Sequence, residues 1–272
     1  MRKLLLLLPM LAGLAAPSVA SAADQVGIVL MHGKLGAPLG ASEGRRRGIA
    51  EGLIKALRDA HYLVATPEMC WSRKRSYDLA FTDCFRDIDA AIADLRAQGA
   101  SAIVLGGESL GGATAIAYGA THPGLLGILG MAPAGDPGRS SQRPDLRASI
   151  AKARDLLAQG KGAEKTSFDD VNTGANGTFT LVVNTTPDIF LSFSAPESQV
   201  SIPANVVKLA MPLLWVAGDK DPTQQAGPAY AFDKAPANPL NRYVTVSANH
   251  LETPDVAEAQ ILAWLKELTA GR

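Results

Sequence analysis

Apolar runs and helix-spaced segments alternate through the first half of this chain. Gln25 to Met31 is a continuous Val/Ile-rich stretch and predicts a strand buried on both faces. Ser42 to Asp59 predicts a helix: Ser42 is placed to cap it, and Ile49, Leu53, Ile54 and Leu57 recur at helical spacing. Tyr62 to Ala65 predicts a second strand, stopped by Pro67. Asp87 to Gln98 carries Ile88, Ala91, Ile92 and Leu95 on one helical face. Ala102 to Leu105 predicts a third strand and Ala113 to Ala120 a helix. Leu125 to Met131 predicts a fourth strand, after the break at His122-Pro123-Gly124. Such alternation predicts an α/β fold, a mostly parallel sheet with helices on both faces.

The rhythm then lapses. Between Pro133 and about Ala210 the residues are richer in Gly, Ser, Asn and Asp. This stretch predicts one helix, Asp145 to Gln159, and short pieces at Thr178 to Val183 and Pro187 to Phe193. An insertion of this length, about 136–210, between sheet strands is expected to form a cap over a binding site. The sheet resumes at Pro212 to Ala217 and ends with Arg242 to Ser247. A closing helix is expected over Asp255 to Leu268, with Ile261, Leu262, Trp264 and Leu265 facing inward.

The N-terminus changes the compartment. Arg2 and Lys3 precede an apolar run, Leu4 to Ala16, and Ala20-Ser21-Ala22 supplies small residues for cleavage, which together predict a signal peptide over 1–22. Pro9, Gly13 and Pro17 interrupt that run, so a stable membrane anchor is not expected. The remaining 250 of 272 residues suffice for one domain, 23–272. A periplasmic or secreted location follows, and the Ala-rich leader points to a bacterial source. In that setting the two cysteines, Cys70 and Cys84, are expected to form a disulfide. Equal numbers of basic and acidic residues, 26 of each, indicate neither a nucleic acid nor an anionic membrane as partner.

The chemistry centres on Gly107-Glu108-Ser109-Leu110-Gly111, a G-x-S-x-G pattern between a strand and a helix. In such an elbow the serine sits on a sharp turn, and side chains at the flanking glycine positions would collide across it. A serine hydroxyl needs a base to take its proton, and the base needs an acid to orient it. Of four histidines, His32, His61 and His122 read as structural or exposed. His250 follows the last strand and shares the carboxyl edge of the sheet with Ser109. Asp221, at the end of the preceding strand and followed by Pro222, is the expected acid, with Asp219 in reserve.

The segments VLMHGKLG, VLGGESLGG, LLWVAGDKDP and VSANH resemble the α/β-hydrolase superfamily over nearly all of the mature chain apart from the insertion. The order Ser109, Asp221, His250 is that of the superfamily's triad. The resemblance implies backbone amides of Lys34 and Leu110 as oxyanion-hole donors, with Leu35 the alternative to Lys34 because this loop departs from the HGGG form. It also implies acyl transfer from a small ester-like substrate (a carboxylester or thioester) without metal or organic cofactor. An acyltransferase, a peptidase and a catalytically silent binding protein are the alternatives on the same scaffold. Phe168, Phe179, Ile189, Phe190, Leu191 and Phe193 offer an acyl-pocket lining, although packing of the insertion onto the core is the stronger expectation.

Overall fold

The computed structural model describes residues 25–42 and 48–270, so the expected signal peptide lies outside the described residues. The first half alternates as β1 (Gln25–Met31), α1 (Glu51–Asp59), β2 (Leu63–Ala65), α2 (Phe85–Ala97), β3 (Ala100–Glu108), α3 (Leu110–Gly119) and β4 (Gly127–Met131). The next stretch holds α4 (Pro137–Ser140), α5 (Pro144–Ala158), β5 (Thr166–Gly174), β6 (Gly177–Thr185), α6 (Pro187–Ser194) and α7 (Ile202–Val206). The chain closes with β7 (Leu213–Gly218), β8 (Arg242–Val246), α8 (Thr253–Val256) and α9 (Glu258–Thr269).

The main sheet runs β2-β1-β3-β4-β7-β8, every neighbouring pair parallel. Its inner strands β1, β3, β4 and β7 are buried on both faces, which is why they read as near-continuous apolar runs, whereas the edge strands β2 and β8 are only partly buried. Alternate residues feed two cores. Ile103 and Leu105 of β3 pack with Ile88, Leu95 and Ile116 on one side. Ala102 and Val104 pack with Leu53, Leu57, Ile261, Trp264 and Leu265 on the other. Helix α3 is buried along its whole length, so it shows an apolar surface all round rather than a stripe.

Two expectations need correction. The first helix begins at Glu51, not near Ser42. Gly40 N–H donates to Ile49 O at 2.8 Å, folding this stretch back as a loop, and Ala50 at φ 61° turns the chain into the helix only afterwards. Residues 43–47 lie outside the described residues. Within the insertion, β5 and β6 pair antiparallel through nine residues each, from Thr166↔Thr185 to Gly174↔Gly177. Neither β5 nor the full length of β6 is apparent from the apolar pattern.

Cys70 and Cys84 form a disulfide, with Cα atoms 5.6 Å apart and a sequence separation of 14. Closing a loop of that size stabilises by about 3 kcal/mol in the chain-entropy model. The crosslinked loop is also where the insertion docks. Phe193 of α6 makes edge contacts with Trp71, Tyr77 and Phe81 at centroid distances of 6.2, 4.7 and 5.4 Å. Phe168 stacks on Phe190 at 4.4 Å. Insertion aromatics therefore anchor it to the sheet domain.

Candidate active site

Strand β3 ends at Glu108, and Ser109 turns the chain into α3 with φ 55° and ψ −119°. That left-handed geometry is strained for a non-glycine residue. It is tolerated because the surroundings leave no alternative. A Cβ on Gly107 would stand 2.5 Å from the Gly111 carbonyl carbon, and one on Gly111 would collide with Met31 O. The bare glycines let β1, β3 and α3 meet closely enough to place Ser109 at the helix N-terminus, buried but lining a cavity.

The three sequence-predicted side chains converge. His250 Nε2 lies 2.9 Å from Ser109 Oγ, and His250 Nδ1 lies 2.6 Å from Asp221 Oδ2. Asp221 is itself fixed, its Oδ1 accepting from the Thr223 amide and hydroxyl at 2.8 Å each. Asp219 is exposed and its amide is committed to Val246 O, so the reserve acid is not the one facing the ring. Asp221 and His250 are each only 1% exposed, which leaves the imidazole little choice of partner. Burial disfavours the imidazolium. The hydrogen bond that the ring donates to Asp221 and the nearby carboxylates outweigh it, and the His250 pKa rises above its ordinary 6.5.

Sequence reasoning missed Glu108, the variable residue before the elbow serine. Its carboxyl is buried, with Oε1 3.4 Å from His250 Nε2. The Gly33 amide donates to it, and burial pushes its pKa up. Gly33 is glycine for this reason: a Cβ there would stand 2.5 Å from Glu108 Oε2. An acidic residue wedged between two positions that must be buried was the available signal.

The loop after β1 completes the site. His32 is buried, its pKa lowered by that burial, and it bridges two loops. Its Nδ1 pairs with Gly33 O at 2.8 Å and its Nε2 accepts from Met69 N–H at 3.1 Å. The Leu35 amide donates to Trp71 O at 3.0 Å, which removes Leu35 as an oxyanion donor. Lys34 lines a cavity of about 270 Å³ together with Ser109 and Leu110. The Leu110 amide is the first of α3 and has no helical carbonyl behind it to satisfy it.

The sheet side of the cavity offers Pro133 and Thr223, and the insertion offers Arg139, Arg143, Val171, Asn172, Thr173, Thr178 and Ile202. None of the insertion's phenylalanines lines it. Phe168, Phe190 and Phe193 are in the core and Phe179 is half exposed on the hairpin. Among the described residues, no group of three or more His, Cys, Asp or Glu side chains is arranged to hold a metal ion.

The family described as serine aminopeptidase, S33, matches residues 72–250, spanning the elbow, the acid and the histidine. The chain belongs to this family. It is thus a serine hydrolase of the α/β-hydrolase superfamily. Solved structures share the S33 chain's fold at low sequence identity. A monoacylglycerol lipase from Paleococcus ferrophilus is 20% identical with TM-score 0.62, covering 89% of this chain and 95% of that one. A thermostable carboxyl esterase from Bacillus coagulans is 17% identical with TM-score 0.61, covering 90% and 91%. The metagenome-derived lipolytic enzymes LipS and LipT provide a third likeness, 18% identical with TM-score 0.60, covering 90% and 94%. A comparison with curated proteins found no match.

Proposed function

We propose that the protein is an exported esterase that cleaves a short carboxylester or thioester through an acyl-enzyme on Ser109. The observation that carries this reading is the continuous chain Ser109 Oγ, His250, Asp221, with links of 2.9 and 2.6 Å. Ser109 Oγ attacks the carbonyl carbon while His250 Nε2 takes its proton, and the carbonyl oxygen becomes an oxyanion held by the Lys34 and Leu110 amides. Asp221 keeps the ring in the tautomer that can accept at Nε2 and stabilises the imidazolium that forms. Collapse of the tetrahedral intermediate breaks the bond to the alcohol or thiol, which leaves with the proton from His250. Water then repeats the sequence at the acyl carbonyl, losing a proton to His250 and releasing the acid and free Ser109.

Similar folds described as lipases and carboxyl esterases support an ester rather than another acyl donor. The cavity of about 270 Å³, whose walls mix apolar residues with hydroxyls and the charged side chains of Asp136, Arg139 and Arg143, suits a short or polar ester better than a long acyl chain. The residues of the insertion that line it make this segment a cap. Export rests on the leader-like residues 1–22 and fits the Cys70–Cys84 disulfide. Among the described residues, no helix is long and apolar enough to cross a membrane.

A second reading comes from the family's own description: the same triad acting on an amide bond, with an amine as leaving group. Turnover of p-nitrophenyl esters of graded chain length, set against amino-acid p-nitroanilides, separates the two. The esterase reading expects short esters to be preferred. It expects Ser109→Ala to lower their turnover by about 10⁴-fold or more, with an unchanged melting temperature. Residual activity near wild type in Ser109→Ala would refute it.

A further inference from the structure

Lys34 is gripped from the insertion at two points. Its ammonium sits 2.8 Å from both carboxylate oxygens of Asp170, and its backbone carbonyl accepts from Asn172 Nδ2 at 3.2 Å. Asp170 and Asn172 are two apart on β5, so strand alternation presents both to the same side of the hairpin. Asp170 is 1% exposed and the Lys34 side chain 11%, so this ion pair is shielded from water. Tyr77 OH and the Val171 amide add further donors to Asp170, at 3.5 and 2.7 Å. The two Lys34 contacts join residues more than 130 positions apart in the chain.

Their geometric effect falls on one peptide plane. A peptide's C=O and N–H point in opposite directions across a rigid plane. Gly33 O is held by the Gly36 amide at 3.1 Å and by His32 Nδ1 at 2.8 Å, which aims the Lys34 N–H the other way. The following plane is held at both ends, its N–H by Trp71 O at 3.0 Å and its C=O by Asn172. With both flanking planes pinned, the backbone angles of Lys34 have no freedom left. Asn172 is the only one of these holds that comes from the insertion's side of the cavity to the Lys34 backbone.

We propose that Asn172 and Asp170 are positioning residues for the Lys34 amide, so that the insertion completes the oxyanion hole rather than merely covering it. The inference rests on the acyl-transfer reading above. Asn172 is the residue to vary, because altering Asp170 would strand a buried lysine. Asn172→Asp keeps the oxygen that accepts from the Thr173 amide at 2.9 Å but replaces the donor to Lys34 O with a negatively charged carboxylate oxygen. Asn172→Leu removes both without adding charge.

The experiment measures ester turnover and the affinity of a substrate-like boronate, which forms an anionic tetrahedral adduct on the serine, in both variants. A misplaced oxyanion donor is expected to lower kcat by about 10- to 100-fold, with KM changed by less than about threefold. Boronate affinity should fall in parallel with kcat/KM, and the melting temperature should hold. Losses confined to KM, or kcat within about twofold of wild type in both variants, would overturn the positioning role. A fluorophosphonate probe on the wild type keeps the two claims apart. Labelling of Ser109 together with unaffected variants overturns only the positioning role, whereas an unlabelled wild type overturns the acyl-enzyme reading and this inference with it.

Discussion

The parallel sheet and the β5–β6 hairpin are built on opposite terms. In β3 every residue but Ser101 is buried, and the strand is held by apolar packing on both faces. In β6 only Val183 and Thr185 are buried, and Phe179 and Val182 face solvent at 50% and 62% exposure. Phe168 stacks on Phe190 of α6 within the insertion, and the hairpin is tied to the sheet domain by a few specific contacts: the Lys34–Asp170 pair, the bond from Asn172 to Lys34 O and the bond from Thr185 Oγ1 to Tyr77 O. Nonspecific burial thus fixes where the triad stands, while directional polar contacts fix the second wall of the cavity. Substitutions should follow that division: in the sheet they act on folding or on the chemical step, and on the hairpin's outer face they do little.

The largest effect is expected at the sheet's carboxyl edge. Asp221→Asn should lower kcat by about 10⁴-fold, because the ring can no longer be held in the productive tautomer. Circular dichroism and melting temperature should match wild type. A loss below about tenfold would show that another group orients His250.

Packing gives the next contrast. Leu105→Ala, at a fully buried position of β3, should cost about 2–5 kcal/mol in denaturant unfolding. Phe179→Ala, on the half-exposed hairpin position, should cost less than about 0.5 kcal/mol. Comparable losses at the two sites would end the distinction between the regions.

The smallest effect concerns pH. His250 must be neutral to accept a proton, and its raised pKa places the acid limb of kcat/KM above the ordinary imidazole value of 6.5. Removing a neighbouring carboxylate destabilises the imidazolium, so Glu108→Gln should move that limb to lower pH. A limb that stays put or moves up would mean that Glu108 carries no charge there and acts on the ring only through its packing and its bond from Gly33.

The same division governs what could be read from residues alone. Strands β1, β3, β4 and β7 are legible because burial on both faces demands continuous apolar runs. Ser109, Asp221 and His250 are legible because each stands at a strand's end in a fixed order. The hairpin is not, since β5 reads Thr-Ser-Phe-Asp-Asp-Val-Asn-Thr-Gly, and its polar residues lower strand propensity while Asp170 and Asn172 serve contacts with Lys34. Its turn signal, Asn176-Gly177 with Gly177 at φ 111°, is present, but without apolar alternation on the β5 side it does not announce a hairpin. Glu108 was hidden by the motif itself, which leaves that position open. The start of α1 is not legible because Ile49, at helical spacing from Leu53, instead closes the preceding loop by accepting from the Gly40 amide, a backbone hydrogen bond that no side-chain pattern reports.

The central claim is that Ser109 carries the acyl group between its two transfers. Rapid mixing with excess p-nitrophenyl acetate, acid quenching and peptide mass spectrometry tests it directly. A burst of p-nitrophenol and a single acetyl group on the peptide containing Ser109 are expected, both absent in Ser109→Ala. Ester turnover without acylation of that peptide, or with the acetyl group on another residue, would contradict it.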